Sequence, residues 1–446
     1  MSDTTFDVIV IGSGPGGYVA AVRSAQLGMK TAVVERDDVV GGRCLNYACI
    51  PAKAVLRSAD ILSEVREADE YGIGISGDVT VDFGAIGERR KKVITTLTGG
   101  VSGLFKKNAV EVISGEASLT PDGDVKVGDT VYSANKGVIL ATGSVKKALP
   151  GLDFGGNVIG TEEAWALSEL PGKLAVIGAG ASGTEIASAY QRLGSEVTLY
   201  EGLDRVLPTE DADISKAALR GFKKQGITVK TGTFFDAGDA GEFDYVVIAA
   251  GRGPDVQALG LDAAGIKLTD AGLIEVDGAL RTSKAKVYAI GDLVPGPALA
   301  HKASDEGIIA VEDAAGLKTH PISYLDIPRA TFCTPNVGSF GLTEEQAREQ
   351  GYDVVVGKVQ YGAVGAGTVY GDRTGVIKIV GDKKYGEMLG GHIVGTRATE
   401  LIPELVNVKL VEGGYPEVAR IIHGHPTLSE GVMEAARAAD GWLIHG

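Results

Sequence analysis

The 446 residues, 44% hydrophobic and 23% charged, have globular composition, and at about 150 residues per domain the length suggests roughly three domains. Disordered and collagen-like chains are excluded, because 65 glycines come with only 15 prolines and no Gly-X-Y period. A net charge of −15 argues against nucleic acid, which needs clustered Lys and Arg. There is also no apolar run near membrane-span length, and Asp3 and Asp7 precede the first basic residue, Arg23, so no membrane span or secretory signal is expected and the protein is placed in the cytoplasm.

In chain order, the apolar run Val8 to Ile11 leads into Gly12-Ser13-Gly14-Pro15-Gly16-Gly17, then a helix-compatible stretch, a second apolar run ending at Val34, and Glu35. This is a strand–helix–strand unit with a dinucleotide fingerprint. Gly12 permits the tight turn, Gly14 lets backbone approach a pyrophosphate, Gly17 allows close helix–strand packing, and Glu35 is placed to accept from ribose hydroxyls. The series recurs: Leu174 to Ile177, Gly178, Gly180, Gly183, a helix, Val197 to Tyr200, and Glu201. Two dinucleotides are implied.

Between the copies, Cys44-Leu45-Asn46-Tyr47-Ala48-Cys49-Ile50-Pro51-Ala52-Lys53 opens a predicted helix. A helix N-terminus lowers a thiol pKa, so redox chemistry is expected of the pair; no second Cys/His pair lies nearby to complete a zinc site, and no metal is expected. Three further apolar runs stop at glycine: before Thr142-Gly143-Ser144, before Gly251-Arg252, and before Gly291-Asp292. Each reads as a buried strand delivering ligand contacts at its carboxyl end. From Ile322 the pattern changes to alternating strands and late helices, an α+β module. The expected class is therefore α/β, with two Rossmann-like dinucleotide-binding domains (1–146 with 277–321, and 147–276) and a C-terminal α+β domain (322–446). Cys333 is expected to be a small buried hydrophobe, and His301, His320, His392, His423 and His445 bystanders.

The two fingerprints, the segment Gly41 to Lys53, Leu299-Ala300-His301-Lys302-Ala303, and His423-Gly424-His425-Pro426-Thr427-Leu428-Ser429-Glu430 resemble the flavin-dependent disulfide reductases, over nearly the whole chain, and most nearly their branch acting on dihydrolipoamide. That resemblance implies FAD on Gly12, Gly14, Gly17 and Glu35, with Thr142, Gly143, Ala300 and Asp292 contributing, and NAD on Gly178, Gly180, Gly183, Glu201 and Gly251. It further implies that Cys49 is the thiolate facing flavin and Cys44 the interchange thiol. Lys53, beside the flavin, pairs with Glu185. His425 is the base, oriented by Glu430, and the C-terminal domain forms a homodimer with shared active sites.

The implied substrate is dihydrolipoamide on a lipoyl domain, with the acyltransferase core of a 2-oxo acid dehydrogenase complex as a partner. A reductase of a small disulfide such as glutathione disulfide is the nearest rival, disfavoured by Glu201, which repels a 2′-phosphate. A non-catalytic scaffold is the other. The chain departs from the family pattern at Arg43, Tyr47, Ala48 and Ala52. It departs again in residues 227–243, too few for the three-stranded meander usual there.

Overall fold

The computed structural model describes residues 4–446, so Asp3 lies outside the described residues. The chain divides into two compact units. The first comprises residues up to Ala54 with Ala85–Lys147 and Gly251–Tyr324, and the second comprises Val55–Gly84, Ala148–Ala250 and Leu325–Gly446.

In the first unit, Thr5–Ile11 pairs in parallel with Thr31–Glu35 on one side and Thr130–Leu140 on the other. Glu111–Ser114 and Val287–Ala289 extend the sheet, again in parallel. Val8, Ile9, Val10, Ala32, Val33 and Ile139 are fully buried, which is why these strands read as unbroken apolar runs. Helices Pro15–Gln26 and Ala300–Ala314 meet where neither has a side chain: a Cβ on Gly307 would lie 2.6 Å from the Gly16 carbonyl oxygen. Residues 251–276, counted above with the second nucleotide domain, cluster with this unit. Their Leu259, Leu261, Ala264, Ile266 and Ile274 share a core with Phe6, Ile9 and Leu140, and the Ile274 amide donates to Leu293 O at 2.8 Å.

The second unit holds another parallel sheet, in the order Thr228–Lys230, Glu196–Tyr200, Lys173–Ile177, Tyr245–Ile248, Val158–Gly160. Between Lys230 and Tyr245 a single 3-10 helix, Ala237–Glu242, replaces the meander, as the short spacing requires. The unit also carries an antiparallel sheet ordered Arg329–Thr331, Val337–Gly341, Glu387–Val394, Val376–Asp382, Val354–Gln360. Helices Ala398–Leu410 and Glu430–Ala439 cover it, burying Phe340, Tyr361, Ile377, Ile393, Leu405 and Val432. At Gly357 a Cβ would lie 1.8 Å from Ala435 O, so strand and helix touch by backbone and the helix start, Glu430, is fixed. Two nucleotide-type parallel sheets and an α+β remainder make up the α/β architecture expected of the sequence.

Candidate nucleotide and redox site

Both fingerprints are built alike. Gly12 has φ +100° and a Cβ there would meet Ala141 O at 2.6 Å; Gly178 has φ +99° and would meet the backbone of Ala249 at 3.0 Å. Gly17 and Gly183 press on the first glycine of their own copy, with Cβ positions 1.9 and 1.8 Å from its carbonyl oxygen. Gly14 and Gly180 face open space, each as the N-cap of its helix, where free amides and the helix dipole favour a phosphate.

The acids match too. Glu35 accepts from the amides of Ser13 (2.9 Å) and Asp37 (3.0 Å), and Glu201 from those of Ala179 (2.8 Å) and Leu203 (2.9 Å). Glu35 also accepts from Ser13 Oγ; with about four acceptor positions per carboxylate, one is left on Glu35 and two on Glu201 for ribose hydroxyls.

Around the first copy, the strand ends converge. Thr142 Oγ1 donates to Asp255 O at 2.6 Å, and Asp255 in turn donates its amide to Gly143 O at 2.9 Å. Ser144 Oγ donates to Asp292 Oδ2 while accepting from Arg252 Nε at 2.9 Å. Asp292 sits in the 3-10 turn Gly291–Leu293.

That turn rests on groups the sequence reading left unassigned. Lys302 and Glu306, both essentially unexposed and one helical turn apart, are paired at 3.3 Å. Lys302 Nζ donates to Gly291 O at 2.8 Å, the Gly291 amide donates to Glu306 Oε2 at 2.7 Å, and Tyr324 OH donates to Glu306 Oε1 at 2.6 Å. Burial raises the Glu306 carboxyl pKa against the pull of Lys302, Tyr324 and the Gly291 amide. The i,i+4 spacing of Lys302 and Glu306 was the one signal available. Ala300 is the first residue of their helix, and Gly143 and Gly251 have φ of +80° and +138°.

The cysteines lie on successive helices, Cys44 within Gly42–Asn46 and Cys49 at the start of Cys49–Arg66, both half-buried and both reduced. The hydrogen bond to Cys49, then burial, push the Cys44 thiol far above its ordinary range, with Lys53 and Arg43 pulling the other way. For Cys44 this is opposite to the lowering expected of a helix N-terminus. Two adjacent sulfurs cannot both hold negative charge cheaply, so the dithiol keeps one proton. Lys53 is half-buried one turn beyond Cys49.

In the second unit, Glu185 is buried on the helix Ala181–Leu193 and accepts from the Phe332 amide at 2.9 Å. His425 and Glu430, whose five-residue spacing is not helical, are brought together: His425 Nδ1 lies 2.9 Å from Glu430 Oε1, while Glu430 Oε2 accepts from the Thr427 amide at 2.8 Å. Burial would raise the Glu430 carboxyl, but Thr427 and His425 hold it below the ordinary carboxylate range. The imidazole is 76% exposed. His423 bonds Glu404 Oε1 and Ile421 O, and tethers the loop rather than joining the pair. Cys333 is fully buried and its thiol is pushed up to about 12 by burial.

The arrangement provides two phosphate-binding turns, a dithiol, and a carboxylate-oriented imidazole. A family model described as pyridine nucleotide-disulphide oxidoreductase matches residues 6–307, and the corresponding dimerisation domain matches 327–436. The chain is 41% identical to a dihydrolipoyl dehydrogenase of Mycobacterium tuberculosis over 99% of its own length and all of the relative's. It is 39% identical to one of Bacillus subtilis, over 99% of both. Among solved structures, the HOCl-induced flavoprotein disulfide reductase of Escherichia coli superposes with a TM-score of 0.86 at 26% identity, covering 98% of this chain and 99% of that one. LpdA of Mycobacterium tuberculosis gives 0.87 at 26%, covering 96% and 99%. With this agreement over the whole length, the chain belongs to the pyridine nucleotide-disulphide oxidoreductases.

Proposed function

We propose that the protein oxidises protein-bound dihydrolipoamide to lipoamide with NAD⁺ through the Cys44–Cys49 couple. The observation that carries this reading is the 2.9 Å contact between His425 Nδ1 and Glu430 Oε1, in a chain whose full-length relatives are dihydrolipoyl dehydrogenases. The family uses FAD and NAD(H). Gly12, Gly14, Gly17, Glu35, Thr142, Gly143, Asp292 and Ala300 would hold FAD, and Gly178, Gly180, Gly183, Glu201 and Gly251 would hold NAD. The open faces at Gly14 and Gly180, where a Cβ would meet nothing within 4 Å, fit a pyrophosphate in both places. FAD, when bound, supplies an acceptor for the thiol electron pair and a hydride donor to NAD⁺.

The chain's own groups do the rest. With Nδ1 turned to Glu430, His425 Nε2 takes a proton from one dihydrolipoamide thiol, and Glu430 stabilises the imidazolium. The substrate thiolate attacks Cys44 Sγ of the disulfide, and the Sγ–Sγ bond breaks with its electron pair on Cys49. The second substrate sulfur then displaces Cys44, which leaves with a proton, releasing lipoamide and the dithiol seen here. Lys53, one turn beyond Cys49, sets a positive charge beside the dithiol and tunes charge at the flavin.

The enzyme acts in the cytoplasm as a homodimer whose His425 and Glu430 complete the partner's dithiol site. Supporting this are the dimerisation-domain match and Ile422, 95% exposed and three residues from His425. Its acidity suits a basic docking segment on an acyltransferase core. No described helix is long and apolar enough to cross a membrane.

Steady-state kinetics with dihydrolipoamide, glutathione disulfide, NADH and NADPH in parallel test the reading. Dihydrolipoamide with NAD⁺ should dominate. Turnover of glutathione disulfide with NADPH in its place would overturn it.

A further inference from the structure

Phe234 and Phe235 stand next to each other and do opposite things. Phe235 turns inward, edge-on to Tyr200 with centroids 5.0 Å apart, and packs on the core of the parallel sheet that also holds Ala175 and Val246. Phe234 turns outward and is 86% exposed, more than any other aromatic side chain among the described residues. The backbone that carries it is nonetheless tied down. The Thr233 amide donates to Glu201 O at 2.9 Å and the Gly232 amide to Leu203 O at 2.7 Å, so the segment runs alongside Glu201–Leu203. The ring lies over Gly202, where a Cβ would come within 2.7 Å of Phe234 Cε1. The Cε1 side of the ring thus lies against the backbone directly after Glu201, while most of the ring is open, near the exposed Leu203.

An exposed ring held in place next to a ribose-accepting carboxylate is a stacking surface. Bases stack on aromatic rings because both are flat and apolar on their faces, and such contacts carry substantial affinity. We propose that Phe234 is the wall on which the adenine of NAD(H) stacks. This rests on the reading that Glu201 holds the adenosine ribose, since the base attached to that ribose must lie within a few ångströms of it. The shortened 227–243 segment is what makes the wall possible: with no strand between Lys230 and Tyr245, the chain can bring a side chain back over Gly202.

The test uses the FAD-loaded, full-length protein and ADP-ribose, which carries the adenosine and both phosphates without the nicotinamide. Calorimetric titration should show Kd for ADP-ribose rising about tenfold in Phe234→Ala, with wild-type affinity kept in Phe234→Tyr. Gly202→Ala, whose new methyl group pushes the ring aside without a change of backbone conformation, should weaken binding similarly. Flavin content and turnover with reduced nicotinamide mononucleotide, which lacks adenosine, should not change. Glu201→Gln, titrated in parallel, separates the two readings. Normal ADP-ribose affinity in Phe234→Ala beside weakened affinity in Glu201→Gln overturns the stacking wall alone, and unchanged affinity in both overturns the coenzyme assignment with it.

Discussion

Gly42 and Gly14 touch backbone to backbone: a Cβ on Gly42 would sit 2.6 Å from Gly14 Cα, and Gly42 has φ +58°. The segment that carries the cysteines therefore rests directly on the first phosphate-binding turn. Gly42→Ala pays both for a left-handed backbone and for the collision, about 2 kcal/mol or more. Purified Gly42→Ala should retain less flavin and unfold at lower temperature than wild type, and full flavin occupancy would show that the two loops are not coupled.

Dithiol chemistry should need both cysteines, and flavin binding neither. With Cys49 the sulfur that faces the flavin, Cys44→Ser leaves Cys49 as a thiolate and should give a coloured long-wavelength absorption band without reduction. Cys49→Ser should not. The reverse pattern in the visible spectrum would exchange the two roles.

His425→Gln should lower kcat with dihydrolipoamide by about 10²–10⁴, the usual range for losing a general base, while leaving NADH oxidation by a small artificial acceptor intact. Glu430→Gln should cost less, because the imidazole remains. The folded Glu430 carboxyl is depressed, so its contribution is present at neutral pH and is lost only as pH falls below the ordinary carboxylate range.

The fingerprints, the cysteine segment and the α/β class were legible because each is a local constraint: a turn that excludes Cβ, an acid at the end of the next strand, a helix start. What escaped depends on chain segments that meet only in the fold. Lys302 and Glu306 look like a solvated helix pair until Gly291 and Tyr324 close over them. The His425–Glu430 pairing comes from the family resemblance and not from the spacing, because the contact needs the turn at Gly424–Thr427, where Thr427 Oγ1 donates to Gly424 O at 2.7 Å, to double back. Cys44 departs from a helix-terminus argument because its nearest neighbour is another sulfur.

The buried pair offers a pH test. Lys302→Met leaves Glu306 without its cation, a change that typically costs 3–5 kcal/mol at neutral pH by roughly that range for a broken buried pair. The Glu306 carboxyl is already raised in the fold, and removing Lys302 raises it further, so the folded state binds the extra proton. Stability of the variant should then fall as pH rises from the unfolded to the folded pKa. Thermal melts should be higher at pH 5 than at pH 8 for Lys302→Met, and a flat profile would place the charge elsewhere.

Coenzyme choice should follow Glu201. A carboxylate repels a 2′-phosphate, so NAD should be preferred over NADP by a wide margin, and Glu201→Arg should narrow it. Equal use of both coenzymes by wild type would refute the assignment.

The two acids are strapped to the main chain in the same way, yet Glu35 is 7% exposed and Glu201 is half-buried. Because each loop is already tied in shape by its own carboxylate, admitting a dinucleotide does not require the loop to be ordered afresh. For a molecule that arrives and departs at every turnover, that spares a recurring entropic delay, and the more open acid leaves a route in and out. For one that stays, the same wiring under a closed roof serves retention: a single device, used once as a dock and once as a berth.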